Sequence, residues 1–316
     1  MKNNLHVLLG ATVADAAARP LHWVYDQKKL KSYIKKKKYF AFLKKNKSPF
    51  YKIKTGHVSG YNDVGQVMLN TLVDNKNNIE KRFKKNLITH FGPGSRYWKN
   101  FKARAKYRKI KDWRGIIKGP WIHQNIIDTL SNIKKNKKIT GGNKVHESDG
   151  FCAALPFFLY FKSLKSLNRV ISYVCSSKIS IKYGLAKFHL LNLALDGQKN
   201  PINFFIKKYK NDSYFKEVVK NIKMVIKLKS KPHNFVVKKI GITCRYPGTF
   251  NSAIHCIIKS KSYKSAILAT IKAGGCNCSR GNFVGSYFAA LKGPKSIPIS
   301  WISKCVHSKK IINISN

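Results

Sequence analysis

Apolar side chains return every three or four residues through most of this chain, while the strict alternation of a half-buried strand is almost absent. That period restricts the chain to helices packing on helices. The first segment, Leu5 to Ala18, carries Leu5, Leu8, Leu9, Thr12 and Ala16 on one face and is stopped by Pro20. From Asp63 the pattern resumes with Val64, Val67, Met68 and Leu72. After a turn at Lys118-Gly119-Pro120-Trp121 it continues through Ile122, Ile126, Ile127 and Leu130. Further helical runs are expected at Phe151 to Tyr160, Val170 to Val174, Leu185 to Leu195, Phe215 to Leu228 and Ser252 to Ile258. Tyr51 to Tyr61, punctuated by Gly56 and Gly60, reads as loop. The lysine-rich stretch Lys28 to Lys47 carries Leu30, Tyr33, Ile34, Tyr39, Phe40, Phe42 and Leu43, so it is expected to dock on the body.

The chain has 316 residues, of which 43% are hydrophobic, enough to bury one large core. No linker rich in Gly, Ser or Pro divides it. The expectation is an all-α, single-domain multi-helix bundle over residues 1–305, with a short C-terminal tail at 306–316. The opening Lys2 and the apolar run to Ala14 superficially imitate a signal peptide, but His6 and Asp15 interrupt it, which favours a first core helix. No run of about twenty apolar residues exists to span a membrane.

One stretch organises the functional reading: Ala273-Gly274-Gly275-Cys276-Asn277-Cys278-Ser279-Arg280-Gly281, set between two helical segments. Paired glycines supply a tight turn. Asn277 or Ser279 is placed to cap the next helix, whose free N–H groups favour an anion. Two thiols at a helix mouth are also where a thiolate forms most readily. The plain alternative is a capped helix start with two packed cysteines.

Charge bears on partners. There are 63 Lys+Arg against 12 Asp+Glu, a formal net charge of +51. A surface of that sign attracts nucleic acid or other polyanions. Only 9 of the basic residues are arginine, the side chain best suited to base and phosphate readout, and the lysines run the whole length. Whether the excess is a selected polyanion-binding surface or compositional drift toward lysine, asparagine and isoleucine, non-specific, salt-sensitive binding to nucleic acid is expected. Of the 7 cysteines, only Cys276 and Cys278 are closely spaced; nothing resembles a secreted disulfide framework, so a reducing cytoplasm is the expected compartment.

Three segments carry a family resemblance. Gly10-Ala11-Thr12-Val13-Ala14-Asp15-Ala16-Ala17-Ala18-Arg19-Pro20-Leu21-His22-Trp23 resembles the opening motif of the ADP-ribosylglycohydrolases. Tyr61-Asn62-Asp63-Val64-Gly65 resembles their Thr-Asp-Asp-Thr segment. Gly274-Gly275-Cys276-Asn277-Cys278-Ser279 resembles their Gly-Gly-Asp-x-Asp-Thr segment. The pieces Ser48-Pro49-Phe50-Tyr51, Phe91-Gly92-Pro93-Gly94-Ser95 and Lys118-Gly119-Pro120-Trp121 are similar to the branch holding the J-type crystallins and selenoprotein J. The resemblance implies an all-α fold and a cleft that recognises ADP-ribose or an ADP-ribosylated protein. It also implies two magnesium ions that assist hydrolysis of the glycosidic bond.

Position by position, the residues depart from that implication. The second segment supplies Asn62, Asp63, Val64 and Gly65, of which only Asp63 is a strong hard-oxygen ligand. The third supplies Cys276, Cys278 and Ser279, and the acidic residue after the first motif's proline is His22. Magnesium requires oxygen donors, for which thiols are poor substitutes. The sequence therefore predicts no resident cofactor and leaves several readings open. In the first, the fold and its cleft persist in a pseudoenzyme or structural protein, with Asn62, Asp149, Gly274, Gly275, Asn277 and Ser279 as ligand-binding candidates. In the second, His22, Asp63, Cys276 and Cys278 converge as a catalytic or redox thiol site. In the third, the same His, Cys and Asp donors hold a softer metal such as zinc. An active hydrolase and a polyanion-binding protein are the remaining alternatives. Glu147 and Asp149 precede a helix, where they serve as base or cap. His57, His123, His189 and His255 have no partner legible in sequence and are assigned to core or surface. Trp23, Tyr25, Tyr97 and Trp121 are candidates for stacking on adenine or on one another.

Overall fold

The computed structural model of the protein describes residues 4–35, 40–74, 77–107 and 115–315. Its helices are α1 (Leu5–Ala18), α2 (Gln27–Ile34), α3 (Gly60–Asp74), α4 (Ile79–Phe91), α5 (Arg96–Tyr107), α6 (Gln124–Lys134), α7 (Asp149–Phe161), α8 (Leu167–Ser172) and α9 (Lys178–Leu195). They continue with α10 (Pro201–Lys208), α11 (Lys216–Lys227), α12 (His233–Ile240), α13 (Gly248–Lys259), α14 (Tyr263–Ala273), α15 (Asn277–Lys292), α16 (Ile299–Ile302) and α17 (Ser308–Ser315). The all-α architecture expected from the apolar spacing is what the chain adopts. The segment read as loop from Tyr51 differs slightly. Two residues, Tyr51–Lys52 (β1), pair in parallel with Ile117–Lys118 (β2), closing one side of the site.

The bundle is built on α1 and α15. Every described residue of α1 except His6 is buried, as expected of a helix apolar all round. The two helices run antiparallel in near-backbone contact: Gly10 faces Gly285, and Gly281 faces Ala14. A Cβ at Gly10 would lie 2.6 Å from the Gly285 carbonyl oxygen, so the missing side chain is what permits this closeness. Around this pair, α14 and α13 pack on α15, α7 packs on α3, and α9 lies against α7 and α15. Leu30, Phe40, Phe42 and Leu43 of the lysine-rich stretch are buried against the body, while Tyr39 lies outside the described residues. The expected tail holds α17, which packs on α1 and buries Ile311.

Each fully buried Leu or Phe of this core contributes about 1.5–3 kcal/mol relative to exposure. Asp15 and Arg19 anchor the polar centre. Asp15 in α1 accepts from the Ser59 amide at 2.6 Å, the Ser59 hydroxyl at 2.7 Å and the Asn282 amide at 2.7 Å. Buried Arg19 ties down the loop before α3 through the carbonyls of His57 at 3.0 Å and Lys54 at 2.8 Å. These contacts fix the start of α3 against the start of α15.

Candidate functional site

The chain leaves α1 at Ala18 and enters α15 at Asn277, so the two helices bring His22 and Cys276 to the same end of the bundle. The link is covalent only through the chain, yet it is tightly hydrogen-bonded. The Trp23 amide donates to the Gly275 carbonyl at 2.8 Å and the Gly275 amide returns to Val24 at 2.9 Å. The Cys276 amide donates to the Ile242 carbonyl at 2.9 Å. Gly274 and Gly275 both sit at positive φ, and a side chain at Gly275 would strike Ile242. The glycines expected to approach a ligand thus approach their own backbone. Neither Asn277 nor Ser279 caps α15: Cys276 holds the N-cap position, the Asn277 amide group reaches back to the Leu21 carbonyl at 3.1 Å, and Ser279 bonds Cys276 and Thr249. Packing of the loop onto residues 21–24 decides this, not local capping preference.

At the centre, the Cys276 Sγ lies 3.5 Å from His22 Nε2 and 3.7 Å from the Tyr61 hydroxyl. His22 Nδ1 meets the Tyr51 hydroxyl at 2.9 Å. Tyr61 donates to Glu147 at 2.9 Å, and His123 pairs with Asp149 at 2.5 Å, with Asn125 on the second Asp149 oxygen at 3.0 Å. Cys244, from the turn before α13, accepts from the Trp23 indole at 3.2 Å. Trp23 holds a left-handed backbone, rare and costly for a bulky residue. That conformation stacks its ring on His22, 4.2 Å between centroids, and sets it edge-on to Phe50, Tyr51 and Trp121. The centre is consequently roofed by aromatic rings. What opens to solvent beside it is a pocket of about 280 Å³ lined by Trp23, Tyr25, Phe50, Arg104, Trp121, Glu147 and Cys244 among others.

Electrostatics follow from this burial. Burial opposes ionisation of Cys276, but hydrogen bonds from Cys244 and His22 outweigh it and hold the thiol well below the ordinary cysteine value. Burial pushes the Cys244 thiol well above its ordinary value. Burial depresses His22, which the Cys276 hydrogen bond only partly offsets. Burial would also depress His123, but the Asp149 charge and hydrogen bond win and raise it. Glu147 is raised to about 7, first by burial and then by the Asp149 charge.

The residues singled out in sequence do not form one cluster. His22 and Cys276 meet. Cys278 turns the other way, its thiol 3.8 Å from the Asp15 carbonyl oxygen, and burial pushes its pKa up. Asn62 is spent on Asn282 at 2.8 Å and Gln66 at 3.0 Å. Asp63 sits in the first turn of α3, three residues after the helix begins, and faces a different cavity. That cavity, about 770 Å³, also exposes His57, His90, Arg96, Tyr97 and His307. There Tyr97 donates a short hydrogen bond to Asp63, with His90 and His307 each 3.9 Å away. Asp149 is buried at the start of α7, and it is Glu147 that reaches the small pocket. Of the histidines assigned to core or surface, His123 joins the centre, His57 lines the larger cavity, and His189 and His255 bond Tyr209 and His233.

Sequence reasoning missed Tyr51, Cys244 and Lys187. Tyr51 belongs to a piece noted for its family resemblance but not for a site role, and Cys244 lies far from its partners in the chain and carries no motif. Lys187 in α9 is fully buried, donates to Ser148 at 2.9 Å, and is boxed by the rings of Phe151, Tyr246 and Phe283 at 4.6, 4.8 and 5.3 Å. Burial lowers its pKa to about 7. A lysine in a helix of this basic sequence reads as surface, which is why no signal marked it.

Comparison with known proteins adds three findings. The chain matches the ADP-ribosylglycohydrolase family over residues 3–316. It is similar to Crystallin J1A of Tripedalia cystophora, 28% identical over 96% of this chain and 92% of that protein. Crystallin J1B of the same animal is 26% identical over 98% and 94%. A solved structure described as an ADP-ribosylglycohydrolase-related protein complex superposes with a TM-score of 0.65 at 13% identity, covering 99% of this chain and 95% of that one. At that identity the likeness speaks for the fold. Among the described residues, no helix is long and apolar enough to cross a membrane.

Proposed function

The chain belongs to the ADP-ribosylglycohydrolase family, and we propose that in this member the metal-assisted hydrolase centre has given way to a closed thiol, imidazole and phenol cluster beside a small nucleotide-binding pocket. The observation that carries the reading is the use to which the expected ligand positions are put. Cys276 packs on His22, Cys278 on the Asp15 backbone, Asn62 on Asn282, and Asp63 faces another cavity. Two magnesium ions require converging hard oxygen donors, and this donor set does not fit them. Among the described residues, no three His, Cys, Asp or Glu side chains are placed to share an ion.

What the pocket retains suits the planar end of an ADP-ribose-like ligand. Trp23, Phe50 and Trp121 offer aromatic faces, Glu147 offers a polar edge, and the Arg104 guanidinium, 4.1 Å from the Trp121 ring centre, adds positive charge. With the aromatic roof in place, the fold serves binding or structure rather than turnover, a use in keeping with relatives named as crystallins. Calorimetric titration with ADP-ribose, in magnesium and again after chelation, tests this. Saturable binding indifferent to chelation, weakened by Trp121→Ala, is the expected result. Binding abolished by chelation, or magnesium-dependent release of ADP-ribose from a modified protein, would restore the hydrolase reading.

A further inference from the structure

We infer that the cavity beside Asp63 is a binding site for a small sugar phosphate, its phosphate held at Arg96 and its hydroxyls at Asp63 and Asn70. The cavity, about 770 Å³, falls within the range of small-molecule sites, about 300–1,000 Å³. Its walls come from distant parts of the chain and are tied to one another. Buried Arg19 holds the carbonyls of Lys54 and His57, and the Val306 amide donates to the Gly56 carbonyl at 3.0 Å. The loop carrying Lys54 and His57 is thereby fixed beside His307, whose ring centroid lies 6.5 Å from that of His57. The site is assembled by the fold itself.

Its cationic end is set by Arg96. This residue opens the 12-residue helix α5, where the amides of Arg96 and Tyr97 have no acceptor among the described residues and the helix dipole favours an anion. With 63 Lys+Arg against 12 Asp+Glu, an unpaired lysine such as Lys54 says little. An arginine on the wall says more. Among the described residues Arg96 has no ion pair or side-chain hydrogen bond, and its planar fork suits a phosphate. The other end repels an anion but suits hydroxyls. There Tyr97 donates to Asp63 Oδ2, while Oδ1 has only the His307 ring nitrogen at 3.9 Å, beyond hydrogen-bond reach. Oδ1 therefore remains an acceptor. Asn70 lies two turns further along the same face of α3, and its side-chain oxygen is buried in the cavity wall without a donor. Two hydroxyl acceptors at one end and a cationic fork at the other describe a polyol carrying a phosphate, rather than a simple anion or a neutral sugar.

The test uses the folded full chain at physiological salt in calorimetric titrations. The probes are glucose 6-phosphate, ribose 5-phosphate, inorganic phosphate and glucose. At least one sugar phosphate should bind saturably at one site per chain, inorganic phosphate about tenfold more weakly, and glucose not at all over the same range. Arg96 is exposed, so Arg96→Ala should fold with an unchanged thermal midpoint and weaken the sugar phosphate by about tenfold. Asn70→Ala should weaken the sugar phosphate and leave inorganic phosphate unchanged. Bound sugar phosphate should shield His90 and His307 from diethylpyrocarbonate, as mapped by peptide mass spectrometry. No saturable binding of either sugar phosphate, an affinity unmoved by Arg96→Ala, or shielding confined to other histidines would overturn the inference. Several equivalent sites per chain would do the same, as the mark of unselective attraction to the lysine coat. Equal affinity for inorganic phosphate and the sugar phosphates would overturn the sugar assignment. The outcome is independent of whether the aromatic pocket accepts ADP-ribose, because Asp63, Asn70 and Arg96 line a different cavity.

Discussion

Consecutive residues at the start of α3 face two different environments. Tyr61 and Asn62 point into a dry centre of rings, thiols and matched hydrogen bonds. Asp63, about 100° further round the helix, faces a cavity of about 770 Å³ where its partners are His90, His307 and Tyr97. In the dry centre a polar group is held because leaving it unpaired is costly. In the wet cavity solvent replaces any partner that is lost. The same motif therefore contributes both to rigidity and to an adaptable surface, and only the first depends on every contact being present.

Removing a carboxylate from each region separates them most sharply. Asp15→Ala leaves the Ser59 amide, the Ser59 hydroxyl and the Asn282 amide without their acceptor, and should cost about 3–5 kcal/mol in urea unfolding. If its unfolding midpoint matched wild type, the dry centre would not be the stabilising region described.

Lys187→Met tests the dry interior from the opposite side, by deleting a buried charge. Because the folded pKa of Lys187 is near 7 and the unfolded value near 10.5, the folded state resists protonation. The penalty is full below pH 7 and fades as pH rises towards 10.5. The variant should gain about 1–4 kcal/mol at pH 7. That gap from wild type should close on going to pH 10, as read by denaturation at both values. A gap that widened with pH would show that the aromatic box stabilises the charged amine outright.

The smallest effect is expected in the wet cavity. Burial works to raise the Asp63 pKa, but the hydrogen bond and charge of His90, the charge of His307 and the Tyr97 hydrogen bond prevail and depress it. Asp63 thus adds stability above the ordinary carboxylate value that disappears as pH falls through the depressed one. Asp63→Asn should cost about 0.5–1.5 kcal/mol at neutral pH and flatten the acid limb of the stability profile. A loss as large as that of Asp15→Ala would erase the distinction between the two regions.

Much of the fold was legible because helical spacing is a local signal. Leu5 to Ala18 is the helix read from its apolar face and its stopping proline, and Phe151 to Tyr160 lies within α7. The site was legible in part. The meeting of His22 with Cys276 follows from motifs at the ends of α1 and α15, which the antiparallel pair brings together. The place of Cys244 beside Trp23 depends on how the turn after α12 lies against Cys276, a tertiary contact with no sequence period. The direction of Asp63 depends on where α3 starts: the helix begins at Gly60, so Asp63 lies inside the first turn rather than at its cap. Asn277 has the composition of a cap but is drawn back to Leu21, because the loop's backbone bonds outrank one side-chain preference.

The crossing of α1 and α15 has a consequence for how such a chain can change over generations. At Gly10 and Gly285 the main chains touch, and even a methyl group has nowhere to go. On the exterior, away from such contacts, a substitution usually costs little. Tolerance to substitution is thus divided by depth: the outer coat has room for new side chains, while the axis beneath it has none at these two positions.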